Sequence, residues 1–142
     1  MGALIATFAH NPVLALPLAL ASHFAMDTLP HFDYPNKKGD HANLQFFIWL
    51  AADCAVAASI LTALLVLQPA YIGLILACAV AAASPDLMWL YYLVLKRGPA
   101  QSQRPALVRF HAAIQKHTAV HLWPAELAWL LVTGSLLASR LS

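Results

Sequence analysis

Apolar residues in this chain gather into long uninterrupted blocks instead of alternating with polar ones. A helix needs about 20 apolar residues to cross the hydrocarbon core of a bilayer. Three blocks reach that length, 44–67, 70–95 and 119–139, and each holds a single charged residue: Asp53, Asp86 and Glu126 in turn. A shorter block, 12–28, starts at Pro12, contains Pro17 and carries Asp27 near its end. Ahead of it lies the apolar piece Gly2–Ala9, closed by His10-Asn11-Pro12, and an Asn-Pro pair favours a turn or a break. The pattern predicts an all-α fold, a polytopic membrane bundle of about four transmembrane helices (12–28, 44–67, 70–95, 119–139). The first 11 residues are expected to form a short re-entrant or broken helix. No Lys or Arg precedes the first apolar stretch, which argues against a secretory signal peptide.

Composition sharpens this picture. Of 142 residues, 61% are hydrophobic and 10% charged, against about 25% charged in an ordinary soluble domain. That argues against a soluble globular protein, a disordered chain, and a nucleic-acid binder with its basic patch. The length suits one domain, 1–142. Cys54 and Cys78 both sit in apolar runs with no metal-site spacing.

The net charge of +2 matters less than its placement. Two polar segments, 29–43 and 96–118, join the blocks, and counting spans puts both on one side. They hold Lys37, Lys38, Lys96, Arg97, Arg104, Arg109 and Lys116, all of the chain's 8 Lys and Arg residues except Arg140. The positive-inside rule then makes both segments cytoplasmic and both termini external.

Ionisable groups within a bilayer are costly, so their positions carry information. At about 1.5 Å rise per residue, Asp53 and Asp86 lie roughly 13 Å from the cytoplasmic end of their spans, and Glu126 roughly 10 Å. Asp27 sits at the end of its own. Acids from separate spans at similar depth fit one shared site. Each also has a plainer reading. Asp53 suits a hydrogen bond across a helix pair. Asp86, after Ser84-Pro85, suits backbone groups freed by a proline kink. Glu126, after Trp123-Pro124, suits the positive end of a restarted helix.

The densest chemistry lies between Ser22 and Pro35. His23 and Asp27, four apart, share a helix face; His31 and Asp33 follow in the emerging loop. The second polar region adds His111, His117 and His121, the last two again four apart. Neutral imidazole with carboxylate suits zinc first, and also manganese or iron. The expected metal ligands are His23, Asp27, His31, Asp86 and His121. Asp33 and His117 are candidates for the catalytic base, and Asp53, Glu126 and His111 for groups that orient the ligands. His41, next to Asp40, reads as solvated, and His10 falls on the opposite face. A lone membrane histidine more often packs and hydrogen-bonds than ligates; convergence carries the metal reading. The aromatic residues near the cytoplasmic ends, Trp49, Trp89 and Trp123 among them, read as an interfacial belt.

The segment His23-x3-Asp27-x2-Pro30-His31-x-Asp33 resembles that of small bacterial membrane proteins described as membrane-bound metal-dependent hydrolases. This is the YdjM-like group, distantly similar to zinc-dependent phospholipase C-like domains. Ser84-Pro85-Asp86 resembles that group's small-Pro-Asp element, and His111, His117 and His121 fall where its members place further histidines. The resemblance covers residues 12–125; the chain lacks the His-Arg-Gly-x-Thr-His element of many members. It implies a compact helical protein of the bacterial inner membrane, with bound divalent metal and hydrolase chemistry on phosphoesters of lipids.

The favoured function is a membrane-embedded hydrolase at the cytoplasmic face, acting on an anionic lipid or another phosphoester through metal-activated water. An ion- or proton-translocating subunit remains an alternative, as does a structural subunit whose acid and histidine cluster is not catalytic. A haem carrier fits worse, because no Cys-x-x-Cys-His is present. The expected partner is the bilayer, with no nucleic acid; oligomeric state is left open.

Overall fold

The computed structural model describes residues 1–32, 44–67, 69–91, 105–115 and 120–141. Every described element is helical. They are α1 (Gly2–Phe8), α2 (Pro12–Asp27), α3 (Leu44–Leu67), α4 (Ile72–Leu90), α5 (Ala106–Ile114), a 3₁₀ turn (Val120–Leu122) and α6 (Trp123–Leu141).

Local chemistry sets the boundaries. Asn11 caps α2 by accepting the Val13 N–H at 2.9 Å, with Pro12 in the first helical position, where its missing N–H costs nothing. At the other end the Thr28 hydroxyl donates to the Ala25 carbonyl at 2.7 Å, and Pro30 follows. Between these stops α2 has 16 residues, about 24 Å of helix against a hydrocarbon core of about 30 Å. The block read as 70–95 is helical from Ile72 to Leu90, its apolar part running Ile72–Met88. The block read as 119–139 starts its α-helix at Trp123, since Pro124 is tolerated only in a helix's first turn. Four long spans are therefore more than the described helices provide. One helix among them, Leu44–Leu67, is long and apolar enough to cross a membrane.

The interior is built from small residues. Ala6, Ala15, Ala19, Ile75 and Cys78 are buried where α1, α2 and α4 meet, with Leu64 of α3 against them. Gly2 shows how closely α1 approaches α4. A Cβ there would collide with the Cys78 carbonyl oxygen and lie 2.8 Å from the Ala82 Cβ. Large aliphatic and aromatic side chains instead face outward, including Val13, Leu14, Ile48, Val66 and Leu131.

Two ends can be told apart. At one, His10 stacks on Tyr71 at 4.7 Å and the Arg140 guanidinium lies 4.0 Å from the Phe8 ring centroid. At the other, the ends of α2 and α4 meet α5, Phe32 packs on Trp49 of α3, and the Phe32 N–H reaches Glu126 of α6. α2 and α4 thus run parallel, both delivering their C-terminal turns to the second end.

Candidate metal centre

That end gathers two imidazoles and two carboxylates. His23 and Asp27 stand one turn apart on α2, with His23 Nε2 3.2 Å from Asp27 Oδ2. α4 brings Asp86, whose Oδ1 is 3.6 Å from the same nitrogen. α5 brings His111. Its Nε2 is 3.2 Å from His23 Nε2, 2.6 Å from Asp27 Oδ2 and 3.9 Å from Asp86 Oδ1. The His111 ring is 1% exposed, whereas the Asp86 side chain is 62% exposed. The site has a closed floor and an open side.

The backbone around Pro85 explains how Asp86 becomes available. Pro85 has no N–H for the Ala81 carbonyl four residues back. The Ser84 hydroxyl supplies the missing donor at 2.8 Å. Asp86 is therefore not consumed in mending the helix, which answers the plainer reading of it. His23 faces the cluster with Nε2. Phe24 makes edge contacts with His23, His111 and Phe110, at 5.4, 5.9 and 5.5 Å between centroids, and so walls one flank.

His111 reaches the centre because α5 is amphipathic. Val108 and His111, three apart, are buried on one face, while Leu107 and Phe110 point outward. Gln115 extends the inner face by one turn, its Nε2 3.2 Å from His111 Nε2.

The donor geometry suits a cation. His23, Asp86 and His111 each offer one ligand atom, and these lie within 4.8 Å of one another. Bonds of about 2.05 Å to a tetrahedral zinc put neighbouring ligand atoms about 3.3 Å apart. The separations of 3.2, 3.6 and 3.9 Å bracket that spacing from close by. Two imidazole nitrogens facing each other satisfy each other only if one carries a proton and the other a lone pair. A cation accepts both lone pairs at once. His111 Nδ1 is also buried without a hydrogen-bond partner, so the ring is not held by a closed network of protein groups. The three residues can hold a metal ion, and the open side leaves room for a further ligand.

Of the remaining candidates, only Asp27 joins the cluster among the described residues. Asp27 is in the cluster as the acceptor of the short hydrogen bond from His111. The His31 ring turns to its own backbone, Nδ1 donating to the Leu29 carbonyl at 2.8 Å. His121, expected as a ligand, is exposed on the 3₁₀ turn and joins none of these contacts. Glu126 accepts the Phe32 N–H at 3.3 Å, tying the segment after α2 to α6. Asp53 lies within electrostatic reach of Glu126 and Asp86. Asp33 and His117 lie outside the described residues.

Two residues stand closer to the centre than their sequence signals suggested. His111 was expected only to orient a ligand, yet its ring is the floor of the site. Gln115 was not singled out at all. The i, i+3, i+7 register Val108, His111, Gln115 after Pro105 was the available signal, since it marks one inner helix face. Comparison with family models, with curated proteins and with solved structures finds no match to this chain.

Proposed function

We propose that this chain is a membrane-embedded, metal-dependent hydrolase with His23, His111 and Asp86 as the ligands of a divalent cation, zinc foremost. The carrying observation is that three segments remote in sequence place these donor atoms within 4.8 Å of one another. Three protein ligands with one position open is the arrangement of catalytic rather than structural zinc. Such a cation supplies Lewis-acid polarisation of a phosphoryl oxygen and an acidified water.

The protein's own groups have separate tasks in this reading. Asp27 already accepts the His111 Nε2–H. With His111 a ligand through Nε2 its proton would sit on Nδ1, and the Asp27 carboxylate, released from that hydrogen bond, would be free to act as general base beside the open position. Pro85 and Ser84 present Asp86. The substrate class is a phosphoester, an anionic lipid or another, reached from the cytoplasmic face.

Membrane residence in several passes is part of the proposal. α3 supplies the long apolar helix. Small residues at the helix contacts and large aliphatic ones outside are the arrangement that bilayer packing favours. In this reading α2, α4 and α6 cross beside α3, the two shorter apolar helices by local thinning of the bilayer, with both termini external. The decisive experiment purifies the chain in a neutral detergent, measures bound zinc, and follows release of phosphate or headgroup from phosphoester substrates. Stoichiometric zinc and zinc-dependent turnover are expected. A protein that binds no metal rules the proposal out.

A further inference from the structure

We infer that Gln115 binds the substrate's phosphoryl oxygen next to the metal position, an inference that rests on the metal reading above. His111 Nε2 has three polar neighbours: Asp27 Oδ2 at 2.6 Å, His23 Nε2 at 3.2 Å and Gln115 Nε2 at 3.2 Å. A ring nitrogen has one hydrogen or one lone pair, so it serves one of them. The contact to Asp27 has the length of a charge-assisted bond and takes the hydrogen. The Gln115 amide nitrogen, itself a donor, then finds no lone pair on that atom. With a cation on the same nitrogen, the lone pair is committed again. In both states Gln115 brings two N–H donors to the rim of the site without an acceptor on His111.

The placement is imposed by the helix. Gln115 is the C-cap of α5, one turn beyond His111 on the inner face, and it is half-buried. A neutral amide N–H does not bind a cation. It selects an oxygen acceptor, and beside a metal with an open position that acceptor belongs to the incoming ligand. A phosphoryl oxygen meets both needs at once: charge for the cation and lone pairs for the amide. Gln115 is thus a substrate-positioning residue for phosphate groups, whether free or on a lipid headgroup.

The test uses the full chain, zinc-loaded in neutral detergent, as wild type, Gln115→Met and Gln115→Ala. Methionine keeps the side chain's length and loses the amide. Bound zinc is counted first, and inorganic phosphate is then titrated by calorimetry. A parallel arm uses nanodiscs of neutral lipid with or without phosphatidic acid. Loss of one hydrogen bond to a charged acceptor weakens binding about ten- to a hundredfold. The inference predicts that loss in both variants with zinc content unchanged. Binding of both phosphate and phosphatidic acid identifies the phosphoryl group as sufficient; binding of the lipid alone identifies the headgroup as its source.

Unchanged phosphoryl affinity in both variants overturns the inference, and so does loss of zinc, which would mean that Gln115 acts only by holding His111. A wild type that binds zinc but neither phosphoryl probe overturns it while sparing the metal reading. A wild type without zinc removes that reading and this inference together.

Discussion

Replacing His111 by alanine separates this account from the one the histidine spacing suggested, in which His121 was the ligand. His111 is 1% exposed and its Nε2 lies 3.2 Å from the facing nitrogen of His23. Its removal deletes one of three ligands. Groups that merely orient ligands are worth about 10–100-fold in metal affinity, so a ligand itself is worth at least about a hundredfold. The same change removes the hydrogen bond to Asp27 at 2.6 Å, worth about 1.5–3 kcal/mol when one partner is charged. Asp27 keeps His23 at 3.2 Å, so its carboxylate is not stranded. Thermal unfolding with and without zinc separates the two effects. At free zinc a hundredfold above Kd, the wild type gains about 2.7 kcal/mol, a rise of about 5–10 °C for a chain of this size. His111→Ala is expected to start from a lower Tm and to gain at most about 0.4 kcal/mol, a rise of about 1–2 °C, from the same zinc. His121→Ala is expected to match the wild type in both respects. A zinc-induced rise that survives in His111→Ala and vanishes in His121→Ala would refute the geometry.

Three further outcomes follow from particular contacts. Asp27→Asn retains the acceptor for His111 and should keep stoichiometric zinc by elemental analysis while phosphoester turnover falls about 10²–10⁴-fold; an empty site in this variant would make Asp27 a ligand instead. Gly2→Val forces a side chain into the Cys78 carbonyl and Ala82 and should cost about 1–3 kcal/mol of stability, read by denaturation in mixed micelles; an unchanged midpoint would mean that α1 does not pack as described. Since α5 contributes one ligand and few other buried side chains, chelation should speed amide exchange selectively in residues 106–114. Equal exchange with and without chelator would show that the metal does not clamp α5.

The helical architecture was legible because long apolar blocks admit little else, and α3 matches the block 44–67 residue for residue. Apolarity alone does not mark helix ends. Asn11 and Thr28 bound α2 through side-chain hydrogen bonds with Pro12 in its first turn, and Pro124 falls in the first turn of α6. Of the candidate site, His23, Asp27 and Asp86 were readable from helical spacing and from acids at matching depth. Their partner histidine was not. Choosing among His111, His117 and His121 requires knowing which turn of the second polar region is helical and which face it buries, and three-dimensional packing decides that. Pairing His117 with His121 assumed one helix face; of the two, the described residues include His121, on a 3₁₀ turn. Similarly, the sequence showed that Pro85 frees a carbonyl but not that Ser84 would take it up, the contact that leaves Asp86 for the cluster.

The most direct measurement is X-ray absorption at the zinc edge on the purified full chain, combined with elemental analysis. The account predicts one zinc per chain, bound by two imidazoles and one or more oxygens, with the imidazole signal halved in His111→Ala or His23→Ala at residual occupancy. A chain that holds no stoichiometric metal, or one whose imidazole signal is untouched by both substitutions, would contradict it.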